Sequence, residues 1–143
     1  MRQTPIPGQI NSEAMRTLAP ALVKAYHEAM DSTAILTDEE IRRALGALKE
    51  GLKSLLGTSL VKLVLFGSRA RGDADPDSDV DVAIIVSGYD AQMKNRMLDI
   101  IAAIELEQGV PLSTLILSTT EYVRLLERER RIALDIEREG VAL

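Results

Sequence analysis

The spacing of apolar residues changes along the chain, and the changes locate its elements. Met1–Asn11, with Pro5, Pro7 and Gly8, reads as a loose lead-in. From Ser12 to Asp31, Met15, Leu18, Leu22, Ala25, Tyr26 and Ala29 fall on one side of a helix that starts or kinks at Pro20. Thr37-Asp38-Glu39-Glu40 has the form of a capping box. Behind it, Ile41, Ala44, Leu45, Leu48, Leu52, Leu55 and Leu56 predict an amphipathic helix of about five turns, stopped at Gly57. Leu60–Phe66, apolar except for Lys62, predicts a strand buried on both faces. Asp79–Val86 predicts a second strand. Asp90–Gln108 is helical, with Met93, Met97, Ile100, Ile101 and Ile104 on one face, and Gly109-Val110-Pro111 ends it. Leu112–Leu117 predicts a third strand. Ser118-Thr-Thr-Glu121 is a second capping box, opening a helix through about Glu139. The charged run Glu127–Arg131 inside that helix reads as solvated surface, with a partner surface as the alternative. Gly140–Leu143 predicts a short final strand.

Helices alternating with short strands predict an α/β (α+β) fold, a small sheet covered by helices. The division expected is a helical extension over residues 1–56 and a sheet-bearing domain over 57–143. Strand direction stays open. The connection from Phe66 to Asp79, about 12 residues, is too long for a two-residue hairpin and near the length of a crossover.

Composition narrows the function classes. The chain has 143 residues, 46% of them hydrophobic, which suits one domain with a real core. Its net charge of −5 lacks the basic balance of a protein that wraps long nucleic acid. A small nucleotide remains compatible, because a metal ion can neutralise its phosphates. There is no cysteine, which excludes disulfides and thiolate metal sites. No leader or membrane-spanning run is evident, so a soluble cytoplasmic protein is expected. His27, the single histidine, has no partner residue nearby in the sequence and reads as an ordinary polar position.

The chemistry concentrates in residues 60–86. Gly67-Ser68 follows a buried strand, where glycine lets the backbone turn sharply and approach a ligand. If Ser68-Arg-Ala-Arg71 begins a helical turn, its backbone N–H groups, the Ser68 hydroxyl, Arg69 and Arg71 suit a phosphate tail. The pattern is neither a P-loop nor a dinucleotide fingerprint. In a strand, Asp79 and Asp81 share one face, about 6.5–7 Å apart at Cα. Two such carboxylates repel unless a cation sits between them, and hard oxygen ligands suit Mg²⁺. The plainer reading is that Asp79 caps a turn and Asp81 pairs with an arginine. An EF-hand register fails from both Asp73 and Asp77, because Gly and Glu are missing at the required positions. Asp73, Asp75 and Asp77 read as solvated turn residues, stiffened by Pro76.

Gly67-Ser68, ten intervening residues, then Asp79-x-Asp81 resembles the signature of the polymerase-β-like nucleotidyltransferase superfamily. The strings Gly67-Ser-Arg-Ala-Arg-Gly72 and Ser78-Asp-Val-Asp81 are similar to its minimal nucleotidyltransferase branch. The resemblance implies a small mixed sheet with helices behind it. It implies that Gly67, Ser68 and Arg69 grip the triphosphate of an NTP, ATP being the expected one. Asp79 and Asp81 would hold two Mg²⁺ ions while a nucleoside monophosphate passes to an acceptor hydroxyl. The family's third carboxylate belongs on the next strand, where this chain has Ser113 and Thr114. Glu105 and Glu107 lie off the apolar stripe of the preceding helix and are poor substitutes by position. Minimal members of the family are often antitoxins of HEPN-domain ribonuclease toxins, so a HEPN toxin is an expected partner. The alternative is a binding module of the same fold with weak or no catalysis. The N-terminal helices are expected to contribute to a homodimer or partner interface.

Overall fold

Thr37 opens the first described helix through reciprocal hydrogen bonds. Its Oγ1 accepts from the Glu40 N–H at 3.1 Å, and Glu40 Oε2 accepts from the Thr37 N–H. The computed structural model describes residues 37–75 and 78–143. The expected helix over Ser12–Asp31, Pro76 and Asp77 lie outside the described residues. The elements in chain order are α1 (Asp38–Leu56), β1 (Leu60–Phe66), α2 (Ser68–Arg71), β2 (Val80–Val86), α3 (Ala91–Gln108) and β3 (Leu112–Ser118). They are followed by α4 (Thr119–Glu127), α5 (Arg131–Glu139) and β4 (Val141–Ala142). Among the described residues no helix is long and apolar enough to cross a membrane.

The four strands form one mixed sheet in the order β3-β2-β1-β4. β1 runs antiparallel to β2 and to β4, while β2 and β3 are parallel. The connection after Phe66 is therefore a return, not a crossover. Its length is taken up by α2 and the loop behind it. The parallel β2–β3 pair is bridged by α3, as parallel neighbours require.

Alternation along β2 splits the interior in two. Val80, Val82, Ile84 and Val86 face α1 and α3 and pack with Ile41, Leu45, Leu48, Leu52, Met97 and Ile101. α1 thus shares its core with the sheet. Ala83 and Ile85 face the other way and pack with Val64, Phe66, Leu117, Tyr122, Ala133 and Ile136. β2 is buried on both sides, as a central strand should be. β1 is not, contrary to expectation. Its first half carries Val61 at 49% exposure beside exposed Lys62, because β4 pairs only with Val64 and Leu65.

The helix expected from Ser118 to Glu139 is two helices. The Ser118–Glu121 box opens α4 as expected, with Oγ accepting from the Glu121 N–H at 3.1 Å. The chain then breaks at Arg128–Arg130, where Glu129 adopts φ 52°. The Arg130 N–H donates to Leu125 O at 2.9 Å and the Glu129 N–H to Leu126 O at 3.0 Å, closing the end of α4. α5 is tied to β1 by Lys62 Nζ, which donates to Glu137 Oε1 at 3.0 Å and lies over the Tyr122 ring.

Gly140 joins α5 to β4 where there is no room for a side chain. A Cβ there would overlap the Ile136 carbonyl oxygen and Val64 Cγ1. Its backbone conformation is open to any residue, so the constraint is steric. Gly140→Ala is expected to destabilise the fold by about 1–3 kcal/mol, read as a lowered urea midpoint at unchanged slope.

Candidate active site

β1 delivers Phe66 opposite Asp81 in the antiparallel register, and β3 delivers Ser113 beside Asp81 in the parallel one. These positions continue the sheet face that α4 and α5 cover further along. Gly67 follows at φ 75°, a conformation that favours glycine. A Cβ at Gly67 would overlap Asp81 Oδ2, so the carboxylate is seated against the bare Cα. The group that approaches this glycine is the chain's own Asp81.

α2 is a single turn. The N–H groups of Ala70 and Arg71 donate to Gly67 O at 3.1 Å, and those of Gly72 and Asp73 donate to Ser68 O. The turn places Ser68 directly after Gly67 at the end of β1. Arg69 points across the loop, where Nε and Nη2 donate to Ser78 O at 3.3 and 3.0 Å. It staples the loop's beginning to its end, one residue before Asp79. Ser78 and Asp75 also close on each other. The Ser78 N–H donates to Asp75 O at 2.9 Å, and the Asp75 N–H to Ser78 Oγ at 2.8 Å.

Asp79 precedes β2 rather than opening it, and its side chain is exposed. Its charge nevertheless acts on Asp81. Burial first, and Asp79 second, raise the Asp81 carboxyl above its ordinary pKa. A hydrogen bond from the Ser113 side chain and the charge of Arg71 oppose the rise. Among the described residues no group of three or more His, Cys, Asp or Glu side chains is placed to share a metal ion. Ser113 occupies the register position next to Asp81. Thr114 pairs with Val82, is 4% exposed and lies on the opposite face.

Two contacts were not visible in the sequence. Ser113 reaches Asp81 only through the β2–β3 register. Arg71 donates Nε to Asp73 Oδ2 at 3.3 Å and Nη1 to Glu139 Oε2 at 3.1 Å, joining the turn to the end of α5. Glu105 corrects an expectation. It lies within the buried stripe of α3, 1% exposed, accepting from the Leu112 N–H at 3.2 Å. Leu98, Ile101, Ala102 and Glu105 follow helical spacing, so the buried face is wider than the one first drawn.

Residues 45–138, spanning α1 to α5, match the nucleotidyltransferase domain family. The chain is a member of that family. Over 98 residues this nucleotidyltransferase-family protein is 28% identical to a candidate protein adenylyltransferase of Methanocaldococcus jannaschii, a match covering 68% of this chain and 99% of the relative. A candidate nucleotidyltransferase from Sulfolobus solfataricus, solved by crystallography, is 21% identical with a TM-score of 0.41, over 73% of this chain and 82% of that one. Gly67, Ser68, Arg69, Asp79, Asp81 and Ser113 lie within the family match.

Proposed function

We propose that this nucleotidyltransferase-family protein moves AMP from ATP to a hydroxyl group of a protein or small-molecule acceptor. The observation that carries the reading is the Asp81 carboxylate, seated against Gly67 and raised by burial and by Asp79. A pair of like charges held in that way is costly by itself and is relieved by a cation. The donor set, carboxylate oxygens only, fits a hard divalent ion such as Mg²⁺. Asp79 and Asp81 are the residues that would hold it. When bound, Mg²⁺ supplies neutralisation of charge on the phosphates.

The chain's own contribution is positioning. Gly67 and Ser68 offer a close-fitting turn for the triphosphate, and Arg69 keeps that turn and Asp79 in one frame through Ser78. In the reaction the acceptor oxygen bonds to the α-phosphorus, the bond to pyrophosphate breaks, and the hydroxyl proton is released. Most of the rate gain would come from fixed geometry and charge balance. The name of the Methanocaldococcus jannaschii relative supports AMP as the group and protein as the acceptor class. A HEPN-domain toxin is the partner this reading tests first.

One observation favours a second reading. Ser113, a neutral side chain, stands beside Asp81 where a third carboxylate would strengthen metal binding. On that reading the protein is a nucleotide-binding module that acts by docking.

Incubation with labelled ATP and Mg²⁺, with and without candidate acceptor proteins, separates the two. Transfer by the native protein and none by an Asp79→Asn/Asp81→Asn variant is the expected result. Metal-dependent ATP binding without transfer would leave the module.

A further inference from the structure

A cavity of about 410 Å³ lies along α1, formed by Ile41, Leu45 and Gly46 together with Leu65 of β1 and Leu143. Gly46 sits in the middle of α1, where glycine weakens a helix relative to alanine. A Cβ there would meet nothing within 4 Å among the described residues. Packing within the described fold therefore gives no reason for a glycine at this position. A second backbone laid closely along the groove does.

The chain itself leads into this groove. The Thr37 cap fixes where α1 begins, and Asp38 and Ile41, just behind it, are groove residues. Thirty-six residues precede Thr37, outside the described residues and ahead of the family match, which begins at residue 45. Among them Leu22, Ala25, Tyr26 and Ala29 recur at helical spacing. Residues 20–31 and the groove-lining span 38–49 are both twelve residues, about 18 Å as helix. The connection between them, residues 32–36, has a length that joins antiparallel helices. Charge agrees. Arg42, Lys49 and Arg69 line the groove against one acid, Asp38, whereas residues 20–31 set Glu28 and Asp31 against Lys24. We propose that residues 20–31 fold back as a helix antiparallel to α1 and seat Leu22, Ala25, Tyr26 and Ala29 in the groove of their own chain. The short connection gives this segment a high effective concentration that a second copy lacks. Arg69 lines the groove and also holds Ser78 O, so the seated segment backs the loop that leads to Asp79.

The chain has no cysteine, so paired cysteines in the full-length protein test this directly. In the antiparallel arrangement Leu22 and Ala25 bracket the level of Gly46, and Tyr26 lies near that of Arg42. A disulfide requires Cα atoms within about 7 Å. Mild oxidation of Gly46→Cys/Ala25→Cys and of Arg42→Cys/Tyr26→Cys is expected to close a disulfide within one chain in most molecules, read by non-reducing electrophoresis and by mass. Gly46→Cys/Lys24→Cys, with Lys24 on the polar side, is expected to close about fivefold less. The Arg42 pair, at an exposed position, keeps the test available if the change at Gly46 hinders close approach. Leu22→Asn is expected to lower the melting temperature by about 5 °C, and Lys24→Asn by about 1 °C or less. No disulfide in either apolar-side pair, equal closure through Lys24, or equal melting shifts overturns the proposal. A disulfide that joins two chains overturns it in favour of a second copy.

Discussion

Asp81→Asn is expected to lower the rate of AMP transfer by about 100-fold or more, the usual scale for removing a group aimed at reacting charge. The substitution changes one atom and fits the space beside Gly67. It removes the charge that burial and Asp79 work against. The folded protein should therefore lose activity without losing stability, and its melting temperature should stay level or rise. Metal gives an independent readout. Mg²⁺ that binds only the folded protein raises the melting temperature, and that rise should vanish in the variant. Asp81→Asn protein that keeps both the activity and the Mg²⁺-dependent rise would remove Asp81 from the site.

Glu105→Gln is expected to raise the melting temperature by about 10 °C at pH 8 and by far less at pH 5. Burial pushes the Glu105 carboxyl up to about 8, opposed only by the hydrogen bond from the Leu112 N–H. The ordinary value is 4.5. Below about pH 4.5 the group is protonated whether the chain is folded or not, and it makes no pH-dependent contribution. Between 4.5 and 8 the unfolded chain gives up the proton while the folded chain keeps it. Stability then falls as pH rises, by up to about 1.4 kcal/mol per pH unit. Above 8 the loss is complete, at about 3–5 kcal/mol. Glutamine keeps an acceptor for Leu112 and does not ionise, so it flattens this slope. Calorimetric melting of both proteins from pH 5 to 9 is the measurement. Parallel curves would show that Glu105 is not the source of the slope.

Local signals in the sequence were sufficient for some elements and not for others. Both capping boxes could be read because their bonds join residues three apart. α1 could be read because it carries one helical period without interruption, and β2 because it is an apolar run between turn residues. The direction of β2 relative to β1 could not, since it depends on how α2 and the loop fold back. The break after α4 carries no Gly or Pro to announce it. It forms because Ala133 and Ile136 pack into the second core while Arg128 to Arg131 stay in water. Glu105 was misplaced because its carboxyl looks polar in sequence, whereas its spacing from Leu98 and Ile101 puts it inside. At the candidate site, Gly67, Ser68, Asp79 and Asp81 are singled out by their spacing and by the resemblance that spacing carries. The contact of Ser113 with Asp81 and the reach of Arg71 to Glu139 required the register and the return of α5.

That return is a matter of distance. One unbroken helix over residues 119–139 would measure about 31 Å, against about 23 Å for a seven-residue strand. It would overshoot the sheet and carry Glu139 into open solvent. Divided at Glu129, the same residues become two short helices, each laying down its own buried side chains. The charged hinge between them thus acts as a length adjustment. It brings the last acid of α5 back over the far end of the sheet to meet Arg71.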